Sequence, residues 1–329
     1  MSRRPTGRHI NGVLLLDKSA GMSSNGAVQR AKRLFQASKV GHTGSLDPIA
    51  TGLLPLCFGE ATKFSGFLLD TDKRYRVRVR LGVTTNTADT EGEVVQRRAV
   101  PVLDEVAVES VLNRFRGDIT QVPPMHSALK HQGRRLYELA RKGLEVERPA
   151  RAVCIHALSL VTVEADFLDL DVHCSKGTYI RSLAEDIGEA LGCGGHVEQL
   201  RRTAVGDLSV EQAVDLETLA SMSDEGRLER LLPMDRLAAD LPALIVGDNL
   251  AFYLRRGQPV LAPNAPQAGW VRIYNKDLFL GLGEMTSDGM LAPRRMVRMP
   301  SKEPEGLAEA ESAVPSNAVL VSSGAEPVE

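Results

Sequence analysis

Residues 74 to 83 alternate without a break, with Tyr75, Val77, Val79 and Leu81 on one parity and Arg74, Arg76, Arg78 and Arg80 on the other. Side chains two apart share a face of a β-strand, so the pattern predicts a strand with one face in a core and the other uncovered. A chain holding such a strand needs a sheet packed on one side and wet on the other. The uncovered side then presents a row of arginines, which suits a phosphate backbone.

Neighbouring patterns supply the cover for that sheet. Residues 12 to 16 read as a short strand, and Ser23 or Ser24 caps a helix in which Ala27, Val28, Ala31, Leu34 and Phe35 recur at helical spacing. A second helix is predicted at about 103 to 115. Leu168, Leu170, Val172 and Cys174 alternate as a strand. Lys176-Gly177 then turns into a helix from about Thr178 to Leu191, with Ile180, Leu183, Ala184, Ile187 and Leu191 on one stripe and Gly192 as its stop. Between these, residues 121 to 151 hold Pro-Pro, Gly and seven basic residues (Lys130, Arg134, Arg135, Arg141, Lys142, Arg148, Arg151), with weak periodicity outside Leu136 to Ala140. That segment reads as a mobile, basic insertion.

The length of 329 residues allows about two domains. Past residue 240, short runs at Pro259 to Leu261, Trp270 to Tyr274, Leu278 to Gly283 and Met290 to Val297 read as a small all-β unit. Residues 301 to 329 hold six glutamates against one lysine, and their Ser, Pro and Ala content predicts disorder. The expected organisation is therefore 1–239, 240–300 and an acidic tail 301–329. No apolar run nears the roughly 20 residues that span a bilayer, so the chain reads as cytoplasmic. The four cysteines (Cys57, Cys154, Cys174, Cys193) form no CxxC pair and have no histidine at zinc spacing, which points to reduced thiols.

Chemistry concentrates in residues 39 to 55, where Asp47 lies among Gly41, Gly44 and Gly52. Glycines admit positive φ and close approach of another backbone, and Pro48 holds Asp47 out of the α region. Asp-Pro is also a common helix start, with Asp47 as N-cap and Pro48 at N1. The two readings merge in an Asp47 fixed at a helix start. No P-loop, dinucleotide fingerprint, HExxH helix or Ser-His-Asp signature is present. Asp47 would then act by nucleophilic or acid-base catalysis, and a buried nucleophilic Asp needs a cation to stay charged. Arg181, at a helix start beside a strand end, is the choice.

The segments GVLLLDK-x-x-GMSS (12 to 24), VGHTGSLDPIATGLLP (40 to 55), DKRYRVRVRLG (72 to 82), PPMHSALK-x-x-GRRLYELAR-x-G (123 to 143), SKGTYIRSLAEDIG (175 to 188) and LRR (200 to 202) together resemble the TruB family of bacterial tRNA pseudouridine-55 synthases. The resemblance runs from about residue 10 to 300. It implies an α+β pseudouridine synthase fold, a large mixed, mainly antiparallel sheet flanked by helices, followed by a small C-terminal PUA-type β-barrel that binds RNA. It also implies isomerisation of one T-loop uridine of tRNA without cofactor or metal, by a monomer that grips the T-loop/elbow and touches no membrane. Residue by residue, Asp47 matches the catalytic aspartate, Tyr75 the aromatic stacked on the flipped uracil, and Arg181 the salt-bridge partner. Tyr179 and Leu200 match pocket lining, His42 the residue entering the T loop, and Lys18 a loop near the cleft. Ser19 and His126 stand where the family commonly has proline and tyrosine.

Extruding a nucleotide costs a few kcal/mol, and stacking on one aromatic returns roughly 1 to 3. Tyr75 alone barely balances that cost, so the arginine strand and the 121 to 151 insertion are expected to add backbone contacts. Two other classes compete. A binding-only protein would be a tRNA-folding chaperone or would use Gly41-His42-Thr43-Gly44 as a KH-like clamp, and a glycosidase or phosphotransferase would need a second acid, with Asp89 the nominee.

Overall fold

The computed structural model describes residues 7–127, 129–262, 265, 268–298, 308–309, 314–315 and 317–321. Its body is an 11-stranded mixed sheet. The strands that position the site are β1 (Ile10–Lys18), β2 (Thr51–Phe58), β3 (Lys73–Leu81), β4 (Gly117–Gln121), β5 (Arg151–Glu164), β6 (Phe167–Cys174), β7 (Gly195–Val205) and β8 (Leu231–Leu232). Helices α1 (Ser24–Leu34), α2 (Glu105–Leu112), α3 (Leu136–Ala140) and α4 (Ile180–Ala190) accompany them. The spatial order is β8-β1-β2-β7-β3-β6-β5-β4, antiparallel at each step except β2 to β7, which are parallel.

One face of the sheet packs Leu14, Leu16, Val77, Val79 and Leu81 against Ala27, Val28 and Ala31 of α1 and Ile180, Leu183 and Ile187 of α4. The other face, at the β1 and β2 end, packs Val13, Leu15, Leu53 and Cys57 against Met234, Leu237, Tyr274 and Phe279. Covered on both faces, β1 reads as an unbroken apolar run, whereas β3, covered on one, alternates. Ser23 caps α1 by accepting from the Gly26 amide at 3.1 Å.

The arginine face of β3 differs from its expected role. Arg76 pairs with Asp171 at 3.0 Å, Arg78 with Asp169 at 2.6 Å and Glu164 at 3.3 Å, and Arg80 with Asp166 at 2.8 Å. The Arg78 and Arg80 guanidinium groups also lie 5.3 and 4.6 Å from the centre of the Phe167 ring. β6 and the turn before it supply an acid to each of these three cations, so they form an ion-paired ladder and not an open basic stripe.

The C-terminal unit is a 6-stranded curled sheet. Its strands are β9 (Ala243–Val246), β10 (Val260–Leu261), β11 (Gly269–Asn275), β12 (Leu278–Met285), β13 (Met290–Met296) and β14 (Val319–Val321), ordered β10-β13-β12-β11-β9-β14. It is a half-barrel of the predicted PUA type, but it is not all-β, because helix α5 (Asp248–Arg255) buries Ala251 and Leu254 against it. The tail expectation also needs revision at β14, where Leu244 and Val246 of β9 stand opposite Val319 and Val321 in a parallel pair. Most of the remaining 301–329 segment lies outside the described residues. No described helix is long and apolar enough to cross a membrane.

Candidate active site

Asp47 does not start a helix. The Ala50 amide donates to the Asp47 carbonyl at 3.1 Å, closing a turn that passes at once into β2. Residues 53–58 are drawn into the sheet because β1 offers a full antiparallel edge from Gly12 to Lys18. Gly52 makes this possible, since its φ is +99° and a Cβ there would lie 2.2 Å from the Arg202 carbonyl oxygen.

Three anchors fix the turn from below. Ser24 Oγ accepts from the Leu46 amide at 2.7 Å and donates to the Leu46 carbonyl at 3.0 Å. The Gly21 amide donates to the Pro48 carbonyl at 2.9 Å. Lys18, wholly buried, donates through Nζ to the carbonyls of Ser19 (2.9 Å), Met22 (2.8 Å) and Pro48 (3.2 Å). Burial lowers its ammonium to about 8, with nearby Asp47 pulling the other way. Lys18 therefore supports the Asp47 turn from beneath and presents no open face to a substrate.

Asp47 itself remains 38% open, while the Arg181 side chain is 5% exposed. The two form a forked pair, with Arg181 Nε 2.9 Å from Oδ2 and Nη2 3.4 Å from Oδ1. Burial raises the Asp47 carboxyl above its ordinary value, and Arg181 opposes that rise. The same guanidinium donates to the Thr87 carbonyl at 3.1 Å and the His126 carbonyl at 2.8 Å, and lies 3.7 Å from Asp89 Oδ2. Asp89, 3% exposed, accepts from Thr87 Oγ1 at 2.5 Å and from the Glu91 amide at 3.0 Å. It is a second carboxylate set against Arg181, buried and already hydrogen-bonded.

Tyr75 and Tyr179 both lie within electrostatic reach of Asp47, and burial raises the phenol of each. Tyr179 immediately precedes α4, where Gln121 clamps its backbone by accepting from its amide at 3.0 Å and donating to its carbonyl at 3.2 Å. Leu200 stands opposite Val77 across β7 and β3, and its carbonyl accepts from Thr51 Oγ1 at 3.4 Å. His42 ends a short strand, Val40–His42, and its Nδ1 accepts from the Gly44 amide at 3.3 Å. Burial lowers its imidazole pKa, helped by Arg202 and by Arg135 of the insertion. The insertion is tied at its root by the bond from Arg181 to the His126 carbonyl.

Sequence patterning does not single out Arg202. It is 2% exposed and donates from Nε to the Leu53 carbonyl (2.7 Å), from Nη2 to the Gly44 carbonyl (3.1 Å) and from Nη1 to the Ser45 carbonyl (3.4 Å). It stands directly opposite Tyr75 across β7 and β3. Taking such a cation out of water costs several kcal/mol, and charge-assisted hydrogen bonds return roughly 1.5 to 3 kcal/mol each. The LRR run is the one signal in the sequence, but only cross-strand register shows what its last arginine touches. Among the described residues, no group of three or more His, Cys, Asp or Glu is arranged to hold a metal ion.

Comparison with known proteins matches residues 32–180 to the family described as TruB family pseudouridylate synthase (N terminal domain). Residues 181–239 match the tRNA pseudouridylate synthase B C-terminal domain, and residues 242–297 match Pseudouridine synthase II TruB, C-terminal. The tRNA pseudouridine synthase B of Nitrosococcus oceani is 54% identical over 299 residues, covering 90% of this chain and 97% of the relative. That of Tolumonas auensis is 51% identical over 321 residues, covering 94% and 99%. Among solved structures, a chain of a Cbf5-Nop10-Gar1 complex superposes with a TM-score of 0.64 at 25% identity, over 92% of this chain and 84% of that one. A chain of the archaeal box H/ACA sRNP Nop10-Cbf5 complex gives 0.63 at 24%, over 95% and 90%, a likeness of fold.

Proposed function

Because the chain belongs to the TruB family of pseudouridine synthases, and so is an isomerase that converts uridine to pseudouridine in tRNA, we propose that its target is the T-loop uridine at position 55 and that Asp47 is its nucleophile. The observation that supports this reading best is the forked Asp47–Arg181 pair, in which a partly exposed carboxylate is held by a buried guanidinium that favours its charged form. The reaction is balanced within the substrate. The bond from C1′ to N1 breaks, the base turns, C5 bonds to C1′, and the C5 proton leaves as N1 gains one. Asp47 assists either by attack on C1′ or through a glycal, and no redox partner or external leaving group is required.

In this reading the uridine leaves the stack, stacks on Tyr75, and lies against Tyr179 and Leu200 while His42 fills its place in the loop. The phosphate grip comes from the insertion, where Arg134 and Arg135 are exposed, and from the C-terminal half-barrel at about 240–300. The two-carboxylate hydrolase reading loses its second acid, because Asp89 is buried against Arg181. The test is incubation with unmodified tRNA, followed by carbodiimide mapping of pseudouridine. A T-loop adduct is expected with the wild type and none with Asp47→Ala. Absence of a T-loop adduct with the wild type removes the site assignment, and substantial turnover by Asp47→Ala removes the nucleophile.

A further inference from the structure

We propose that Arg202 is a positioning residue for the isomerisation, holding the Asp47 turn at a fixed distance from the rung of β3 that carries Tyr75. The inference rests on the reading of Asp47 and Tyr75 as the two reacting-face groups. Asp47 belongs to the turn between β2 and the loop before it, and Tyr75 belongs to β3. β2 and β3 are not neighbours, because β7 lies between them. Whatever holds Asp47 against Tyr75 has to act across β7, and Arg202 is the residue of β7 that reaches both sides.

Its backbone stands opposite Gly52 in the parallel pair and opposite Tyr75 in the antiparallel one. Its guanidinium bonds the chain on both sides of Asp47, at Gly44 and Ser45 before it and at Leu53 after it. It is rooted on the rung of β7 that faces Tyr75. Among the described residues no carboxylate is in salt-bridge distance of it, so its fork is directed at these three carbonyls. A strut of this kind is a planar, multi-donor group, which neither an ammonium nor an amide reproduces.

Arg227 offers the internal control. It also holds carbonyls, at Leu219 (2.7 Å), Leu34 (3.2 Å) and Ala220 (3.2 Å), but it pairs with Asp224 and touches none of the site residues. The experiment compares full-length Arg202→Gln, Arg202→Lys and Arg227→Gln on unmodified tRNA, reading single-turnover rate at saturating enzyme, tRNA Kd and Tm. A misplacement near 1 Å can cost about 100-fold in rate, so Arg202→Gln is expected to lose about that factor with Kd within about threefold of wild type. Arg202→Lys should recover part of the loss. Arg227→Gln should lose Tm but keep its rate.

If Arg202→Gln does not fold, Arg202→Lys decides by the same split between rate and Kd. A wild-type rate in Arg202→Lys overturns the proposal. So does a fall in rate, Kd and Tm together that Arg227→Gln reproduces, or failure of both Arg202 variants to fold, since each makes the residue structural. Asp47→Ala separates the two readings. Turnover in that variant removes the underlying site assignment, whereas an inactive Asp47→Ala beside a wild-type Arg202→Lys removes only this inference.

Discussion

The ammonium of Lys18 donates to the carbonyl of Pro48 at 3.2 Å, joining the end of β1 to the residue after Asp47 across 30 positions of sequence. A buried carbonyl that loses its donor costs about 1 to 3 kcal/mol. Lys18→Met is therefore expected to cost at least about 2 kcal/mol in urea denaturation. It should also lower turnover much more than tRNA affinity. Normal turnover in a destabilised Lys18→Met would separate the turn's stability from its catalytic geometry.

Burial holds the Asp47 carboxyl above its ordinary value of 3.8 even with Arg181 beside it. A raised folded-state pKa means that the native protein binds this proton more tightly than the unfolded chain does. Ionised Asp47 therefore costs stability; the cost is absent below the unfolded value, grows as pH rises, and is complete above the folded one. Asp47→Asn should raise Tm near neutral pH while abolishing turnover, and the gap should close as pH falls toward 3.8. A gap that is reversed or independent of pH would mean that the native site does not favour the protonated acid.

Two glycine substitutions at positive φ separate strain from collision. Gly177 has φ +83° and open space where a methyl group would sit, so Gly177→Ala should cost about 1 kcal/mol. Gly52 has φ +99° and the Arg202 oxygen 2.2 Å from any Cβ. Gly52→Ala is expected to cost about 3 kcal/mol or more and to remove turnover. Equal Tm losses for the two would mean that β7 yields at Arg202.

The ion-paired ladder on β3 gives a contrast in RNA binding. Arg76→Ala should leave tRNA affinity within about twofold, because Asp171 already occupies its fork. Arg134→Glu with Arg135→Glu should weaken binding and reduce the salt slope by about 1 for each phosphate left unneutralised. An unchanged slope in the double variant would place the phosphate grip elsewhere.

Helices α1 and α4 and strand β3 were legible because each has one buried face, and periodicity reports one-sided burial. Strand β2 was not, since Leu53, Leu54, Leu56 and Cys57 are all buried and a run covered on both faces has no period. Strand β7 was hidden by irregular register between Val197 and Gln199 and between Arg202 and Ala204, which breaks its parity. The pairing of Asp47 with Arg181 could be argued from charge together with the place of Arg181 at a helix start. Asp89 and Arg202 could not be placed, because their contacts follow from strand order and register, which sequence does not print. The same blindness made the β3 arginines look available when β6 and the turn before it had already answered three of them.

Gln121, the last residue of β4, stands directly opposite Arg151, the first residue of β5. The segment between them leaves and rejoins the sheet at one rung of its ladder, so its length does not alter the gap it has to span. Closing a longer loop across a fixed gap costs only a logarithmic increment. Evolution can therefore lengthen, trim or exchange this flap on an unchanged isomerase, provided that the roots at Val122 and His126 keep their bonds to Ser182 and Arg181.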